Sequence, residues 1–241
     1  MVKKILKAIA SSFYRFFLPP SLRYSRFFSI LRNVFAYSTQ EEMMKIAMDF
    51  AEISKVDGDY LEFGVYEGTA FVSAFHFAQS RNLKSMKFYA FDSFEGLPEI
   101  KGVDAKGFRH FSKGQFSCDA NKFKKIVSRQ GVDLKKVKII PGWFYETLNK
   151  ETKKRLPLKR AAVIWIDCDL YESTAPVLNF IKDYLQDGTI LVFDDWFCFK
   201  GNPDKGEQKA FMEWLKKNPS IRAIEFHKFC PFGNSFIINR K

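Results

Sequence analysis

Apolar residues along this chain alternate between two periods, one of about 3.6 residues and one of short near-continuous runs. Helical spacing begins after Thr39, from Gln40 to Ser54, with Glu41 and Glu42 in the first turn as a helix start requires. From Tyr60 the pattern becomes LEFG (61–64), the turn VYEG, and then the helical TAFVSAFHFAQS (69–80), which predicts a strand–turn–helix unit. KFYAFDSF (87–94) is a second strand ending on an acid. A helix follows at 119–130, a strand at Val137 to Ile140 and a helix around 143–154. AVIWIDCDLYEST (162–174) and TILVFDDW (189–196) hold two further strands, with a helix (174–186) between them. This alternation predicts an α/β fold, doubly wound around a mostly parallel sheet. Two short alternating runs in 222–241 predict an antiparallel hairpin at the sheet edge. Residues 95–118, punctuated by Gly96, Pro98, Gly102, Gly107 and Gly114, predict a long irregular loop of the kind that carries function.

The last two parallel strands each end on paired carboxylates. In an open α/β sheet ligands collect beyond the carboxyl ends of the strands, so Asp167, Asp169, Asp194 and Asp195 are expected in one crevice. Crowded carboxylates repel and resist desolvation, at a cost of several kcal/mol or a raised pKa, unless a cation lies between them. Oxygen donors point to a hard divalent ion, magnesium over zinc. The turn LEFGVYEGTAF places Gly64 and Gly68 between a strand and a helix, where backbone can approach a ligand closely. Tyr66 stands where a dinucleotide fingerprint needs its second glycine. Asp92, at the end of the next strand, sits where an acid accepts ribose hydroxyls, so a nucleoside without a pyrophosphate is expected.

Five motifs in order, LEFGVYEGTAF, FYAFDSFEGLP (88–98), KIIPGWFYETL (138–148), IDCDLYEST (166–174) and VFDDW (192–196), resemble the macrocin O-methyltransferase (TylF/MycF-type) family. These are class I S-adenosylmethionine-dependent methyltransferases with a Rossmann-like fold, and the resemblance covers roughly residues 40–215. It implies that Glu62, Gly64 and Gly68 hold the methionine part of S-adenosylmethionine, that Asp92 binds its ribose, and that Gly142 and Trp143 lie beside its adenine. It implies Asp167, Asp194 and Asp195 as ligands of Mg2+, with Mn2+ an alternative, and leaves Asp169 as either an orienting residue or a substrate contact.

A sugar hydroxyl is a poor nucleophile, and a divalent ion lowers the pKa of an oxygen it coordinates. The proton then needs an acceptor. Metal-assisted catechol methyltransferases carry a lysine soon after the first metal aspartate, whereas Cys168, Asp169, Leu170 and Tyr171 follow here, so Asp167 or Asp169 is the expected catalytic base. His76 in an apolar helix and His227 in the hairpin are expected to be structural. His110, beside Arg109, is a candidate substrate contact, and Trp196, Phe197 and Phe199 a candidate sugar-stacking wall. Four cysteines, Cys118, Cys168, Cys198 and Cys230, form no CxxC and suggest reduced thiols, with Cys168 and Cys198 near the site.

Charge divides the chain. Of the formal +12, the first forty residues supply +7, from seven Lys or Arg and no acid, while the remaining 201 carry +5. Residues 1–38 are therefore expected to form a basic aromatic helical arm serving as a lid, an oligomer contact or a membrane-surface segment, with 39–241 as the methyltransferase domain. Arg15, Pro19, Pro20 and Arg23 interrupt its best apolar run, which leaves neither a membrane span nor a clean signal peptide. The expected activity is a Mg-dependent O-methyltransferase acting on a sugar hydroxyl in a glycan, glycolipid or glycosylated metabolite. The expected setting is cytoplasmic, at the inner membrane face if the arm binds lipid, as a homodimer or larger. Two alternatives are a non-catalytic peripheral membrane or scaffold protein with a methyltransferase fold, and a nucleic-acid methyltransferase suggested by a pI near 9.4. Scattered lysines and the absence of a recognised RNA-binding module weigh against a nucleic-acid partner.

Overall fold

The computed structural model describes residues 39–106 and 111–241. The expectations for the arm 1–38, for Arg109 and for His110 lie outside the described residues. The domain opens with helix α1 (Gln40–Ile53), started by a capping box in which Thr39 and Glu42 each satisfy the other's backbone N–H. Strand β1 (Asp59–Phe63) leads through the glycine turn to α2 (Thr69–Gln79), and β2 (Phe88–Asp92) ends on its acid. Helix α3 (Ala120–Arg129) is capped by the Asp119 carboxylate and precedes β3 (Val137–Pro141).

The helix expected around 143–154 divides into α4 (Phe144–Thr147) and α5 (Lys150–Arg155). The Asn149 side chain explains the break, since its carbonyl accepts the N–H of Thr152 at 2.8 Å and starts a new helix. Strand β4 (Ala161–Ile166), helix α6 (Tyr171–Ile181), strand β5 (Ile190–Phe193) and helix α7 (Gly206–Lys217) follow. Helix α6 starts three residues before the expected position, because a buried carboxylate, Asp104, accepts the N–H of Tyr171 at 2.6 Å and caps it there. It ends earlier too, in a short 3-10 turn at Lys182–Tyr184.

Strands β6 (Ile221–Phe229) and β7 (Gly233–Arg240) complete a seven-stranded sheet of order β3-β2-β1-β4-β5-β7-β6. The first five strands are mutually parallel, with Phe63 in register with Phe91 on one side and Ile166 on the other. The hairpin is antiparallel as expected, and its second strand, β7, pairs with β5 while β6 takes the edge. Every residue of β4 is buried, as a central parallel strand covered on both faces requires. Helices α1, α2 and α3 cover one face of the sheet around Tyr60, Phe71, Phe88 and Trp165. Helices α6 and α7 cover the other around Phe63, Phe91, Phe180, Phe193 and Phe211. Each such side chain contributes roughly 1.5 to 3 kcal/mol by leaving water. Among the described residues no helix is long and apolar enough to cross a membrane.

Candidate active site

Strand order reverses between β1 and β4, and the crevice beyond their carboxyl ends is where such a sheet accepts ligands. The chains leaving these strands touch there. Gly64 sits at φ +82°, and a Cβ on it would lie 1.9 Å from the carbonyl oxygen of Asp167. Gly68, at φ +84°, would drive a Cβ to 2.7 Å from Val127 Cγ1 and 2.9 Å from the Phe123 ring. The close approach that these glycines permit is therefore first to the chain itself, although Gly64 also lines the cavity above.

That cavity has a volume of about 680 Å3. Gly64, Asp92, Trp143, Asp167, Asp169, Asp194 and Asp195, drawn from five turns, all line it. Glu62, Gly68 and Gly142 are not among its lining residues. Glu62 is buried in β1, where it accepts a hydrogen bond from the Tyr60 hydroxyl, and desolvation holds its pKa well above the usual carboxylate range. Gly142, at φ +126°, donates its N–H to the carbonyl of Asp92 at 2.9 Å and thereby sets Trp143 at the cavity wall. Asp92 accepts the N–H groups of Val65 and Tyr66 on Oδ2, at 2.7 and 3.3 Å, and that of Phe94 on Oδ1 at 2.6 Å. The Ser93 side chain is a further hydrogen-bond partner of this carboxylate, which lines the cavity.

One carboxylate oxygen from each of Asp167, Asp194 and Asp195 falls within 4.8 Å of the others. Among the described residues none of the three belongs to an ion pair. The electrostatic consequence is large. Desolvation, then repulsion from Asp194, Asp195 and Asp169, pushes Asp167 well above its ordinary pKa. Desolvation and the neighbouring Asp195 push Asp194 up to about 7. Asp195 is raised by desolvation, against hydrogen bonds from Cys198, Asp169 and Asp167 that lower it. Asp169 is 6% exposed at φ +60°, hydrogen-bonded to Asp195, and raised by desolvation and by that neighbour's charge.

Two polar residues of the site carried no sequence signal. Gln40, in the first turn of α1, donates its amide N–H groups to both oxygens of Asp194, at 3.0 and 2.9 Å, and lines the cavity. Glu207, in the first turn of α7, accepts the backbone N–H of Asp195 at 3.1 Å from behind. The aromatic wall also differs from expectation. Trp196 is buried against Phe193, Phe211 and Phe236, and neither Phe197 nor Phe199 lines the cavity. Its aromatic lining is instead Tyr66, Phe111, Phe116, Trp143, Phe144 and Tyr145, with Trp143 and Tyr145 stacked at 6.4 Å. Cys198 lies beside the acids, its Sγ 3.1 Å from Asp195 Oδ1, and Cys168 lines the cavity. His76 is exposed and bonded to the Gln130 carbonyl, and His227 sits in β6, both away from the cavity.

The model of the macrocin O-methyltransferase (TylF) family matches residues 38–213. The chain belongs to this family. It is 30% identical over 145 residues to a tetracenomycin-C 4'-O-methyltransferase of Streptomyces olivaceus that acts on a dimethoxy-rhamnosyl compound, covering 58% of this chain and 54% of that protein. It is 29% identical over 147 residues to the mycinamicin III 3''-O-methyltransferase of Micromonospora griseorubida, covering 58% and 56%. The chain thus matches about half the length of these curated relatives. The O-methyltransferase NovP shares the fold with a TM-score of 0.69 at 21% identity, over 83% of this chain and 80% of that one.

Proposed function

We propose that this protein transfers a methyl group from S-adenosylmethionine to a sugar hydroxyl, assisted by a divalent cation, Mg2+ or Mn2+. The observation that carries the reading is the convergence of Asp167, Asp194 and Asp195 within 4.8 Å in a cavity that also exposes Gly64, Asp92 and Trp143. The donor set fits the metal: three hard oxygens, raised in pKa by one another and by burial, with no basic side chain among the described residues to neutralise them. When bound, the cation would supply positive charge to these carboxylates and acidity to an acceptor hydroxyl.

The chain's own residues supply the rest. Asp92 lines the cavity with its carboxylate, which a ribose hydroxyl can meet, and the Trp143 ring presents a flat apolar surface to a base. Asp169 lines the cavity beside Asp195 and, once its carboxyl is ionised, is placed to take a proton from an acceptor. The aromatic lining gives sugar rings an apolar face to stack on. Sugar as the acceptor class is supported by the relative whose named substrate carries a dimethoxy-rhamnosyl group.

The reading is tested by calorimetric titration of S-adenosylmethionine and of Mg2+ into the wild type and an Asp194→Ala, Asp195→Ala double variant. Cofactor binding by both, with Mg2+ binding lost in the variant, is the expected result. No cofactor binding under any condition would sink it.

A further inference from the structure

Two buried carboxyl groups outside the cavity hold the backbone turns that carry its acids. Glu207 is 1% exposed; its Oε1 accepts the N–H of Cys168 at 3.4 Å and its Oε2 that of Asp195 at 3.1 Å. Asp104 is 2% exposed; its Oδ2 accepts the N–H of Tyr171 at 2.6 Å and its Oδ1 that of Gly206 at 2.9 Å. Neither lines the cavity, and among the described residues neither belongs to an ion pair. A buried carboxylate without a cation is costly, and one that bridges two backbone donors recovers part of that cost only while both donors stay in place.

The four donors are not scattered. Cys168 and Tyr171 flank Asp169, whose φ of +60° is left-handed, a conformation uncommon outside glycine that aspartate adopts more readily than most residues. Hydrogen bonds on both sides of it hold this turn in place. Here the Leu170 N–H closes a tight turn onto the Cys168 carbonyl, Glu207 holds the N–H just before Asp169, and Asp104 holds the helix start just after it. Glu207 also reaches Asp195 after β5, so one carboxyl group spans the turns that follow both metal-candidate strands. Asp104 closes the frame by capping Gly206, the residue before Glu207. Lys205 Nζ donates to the carbonyls of Val103 and Lys106, which fastens the segment around Asp104 to the same corner.

We propose that Glu207 and Asp104 act together as positioning residues for the divalent-metal site, fixing the Asp167–Asp169 turn against Asp195 so that the three carboxylates meet at the right separation. This rests on the metal-assisted reading above. Glu207→Gln and Asp104→Asn keep size and shape while replacing one acceptor oxygen by an N–H2 that opposes a backbone N–H.

The full-length chain and each variant would be titrated with Mn2+ and, separately in EDTA, with S-adenosylhomocysteine. Outer partners of metal ligands are worth about 10 to 100-fold in affinity, so Mn2+ binding is expected to weaken about tenfold or more in both variants. S-adenosylhomocysteine binding in EDTA is expected to stay within about twofold of wild type, because Gly64, Asp92 and Trp143 lie outside the frame. Unchanged Mn2+ affinity in both variants overturns the proposal. Parallel loss of both ligands with a lowered melting temperature overturns it as well, since that is general damage to the fold. If Glu207→Gln is not recovered folded, Asp104→Asn alone decides between these outcomes. A wild type that binds S-adenosylhomocysteine but no Mn2+ removes the metal-assisted reading and this inference with it.

Discussion

The side-chain amide of Gln40 donates to both carboxylate oxygens of Asp194, at 3.0 and 2.9 Å, across 154 residues of chain. It ties the first helix of the domain to the end of β5 and lowers the pKa of an aspartate that burial raises. Hydrogen bonds to a charged group contribute about 1.5 to 3 kcal/mol, and partial exposure of this pair places it at the lower end. In EDTA at pH 8, Gln40→Ala is therefore expected to lose about 1 to 2 kcal/mol of stability by urea unfolding. Identical unfolding midpoints for variant and wild type would show that Asp194 does not depend on this amide.

The acidic cluster sets the pH dependence of the metal-free protein. Asp194 titrates at about 7 when folded, and an unfolded aspartate at about 3.9. Between those values the folded state holds more protons than the unfolded one, so stability falls as pH rises. The contribution is fully present below about pH 4 and is lost as pH passes through about 7. Asp167, Asp169 and Asp195, all shifted upward, act in the same direction. In EDTA the melting temperature is expected to be lower at pH 8 than at pH 5.5, and millimolar Mg2+ is expected to raise the pH 8 value selectively. A melting temperature that climbs from pH 5.5 to 8 in EDTA would contradict the electrostatic account.

Gly64 makes a sharper structural demand. Its φ of +82° disfavours any residue with a Cβ, and that atom would lie 1.9 Å from a backbone carbonyl with no side chain able to yield. Gly64→Ala is expected to cost about 3 kcal/mol or more, by separating β1 from β4 at the floor of the crevice. Denaturant unfolding checks this. A loss under about 1 kcal/mol would mean that the two strand ends separate easily, in which case they do not hold the site rigidly.

Much of the site was readable because its chemistry sits at the ends of buried strands. The runs AVIWI and ILVF read as buried strands of a parallel sheet, and each is followed by aspartates, so strand ends in one crevice bring Asp167, Asp194 and Asp195 together. Gly64 was readable as a residue type and not as a cause, since the atom it makes room for belongs to another strand's turn. Gln40, Asp104 and Glu207 carried no signal. A polar residue in the first turn of an amphipathic helix, or in an irregular loop, reads as solvated, and only tertiary packing reveals that its partner is a backbone N–H or a carboxylate far along the chain. The same limit explains β7, whose alternation predicts a strand and a hairpin without saying which of the two joins β5.

Asp92 offers the test that separates cofactor binding from the metal. It accepts three backbone N–H groups, from Val65, Tyr66 and Phe94, and so stitches the glycine turn to the end of β2 while lining the cavity. Desolvation raises its pKa, and the N–H groups of Val65, Phe94 and Tyr66, with the Ser93 side chain, oppose that rise. Asp92→Asn sets an N–H2 against one of these backbone N–H groups in either orientation and weakens any charge-assisted bond to a ribose hydroxyl. A loss of about 1.5 to 3 kcal/mol corresponds to roughly 10 to 150-fold weaker binding of S-adenosylhomocysteine by calorimetry. Mn2+ affinity is expected to hold, because Asp92 is not among the three clustered carboxylates. Unweakened S-adenosylhomocysteine binding would remove Asp92 from the ribose position, and a loss confined to Mn2+ would move it to the metal side of the cavity.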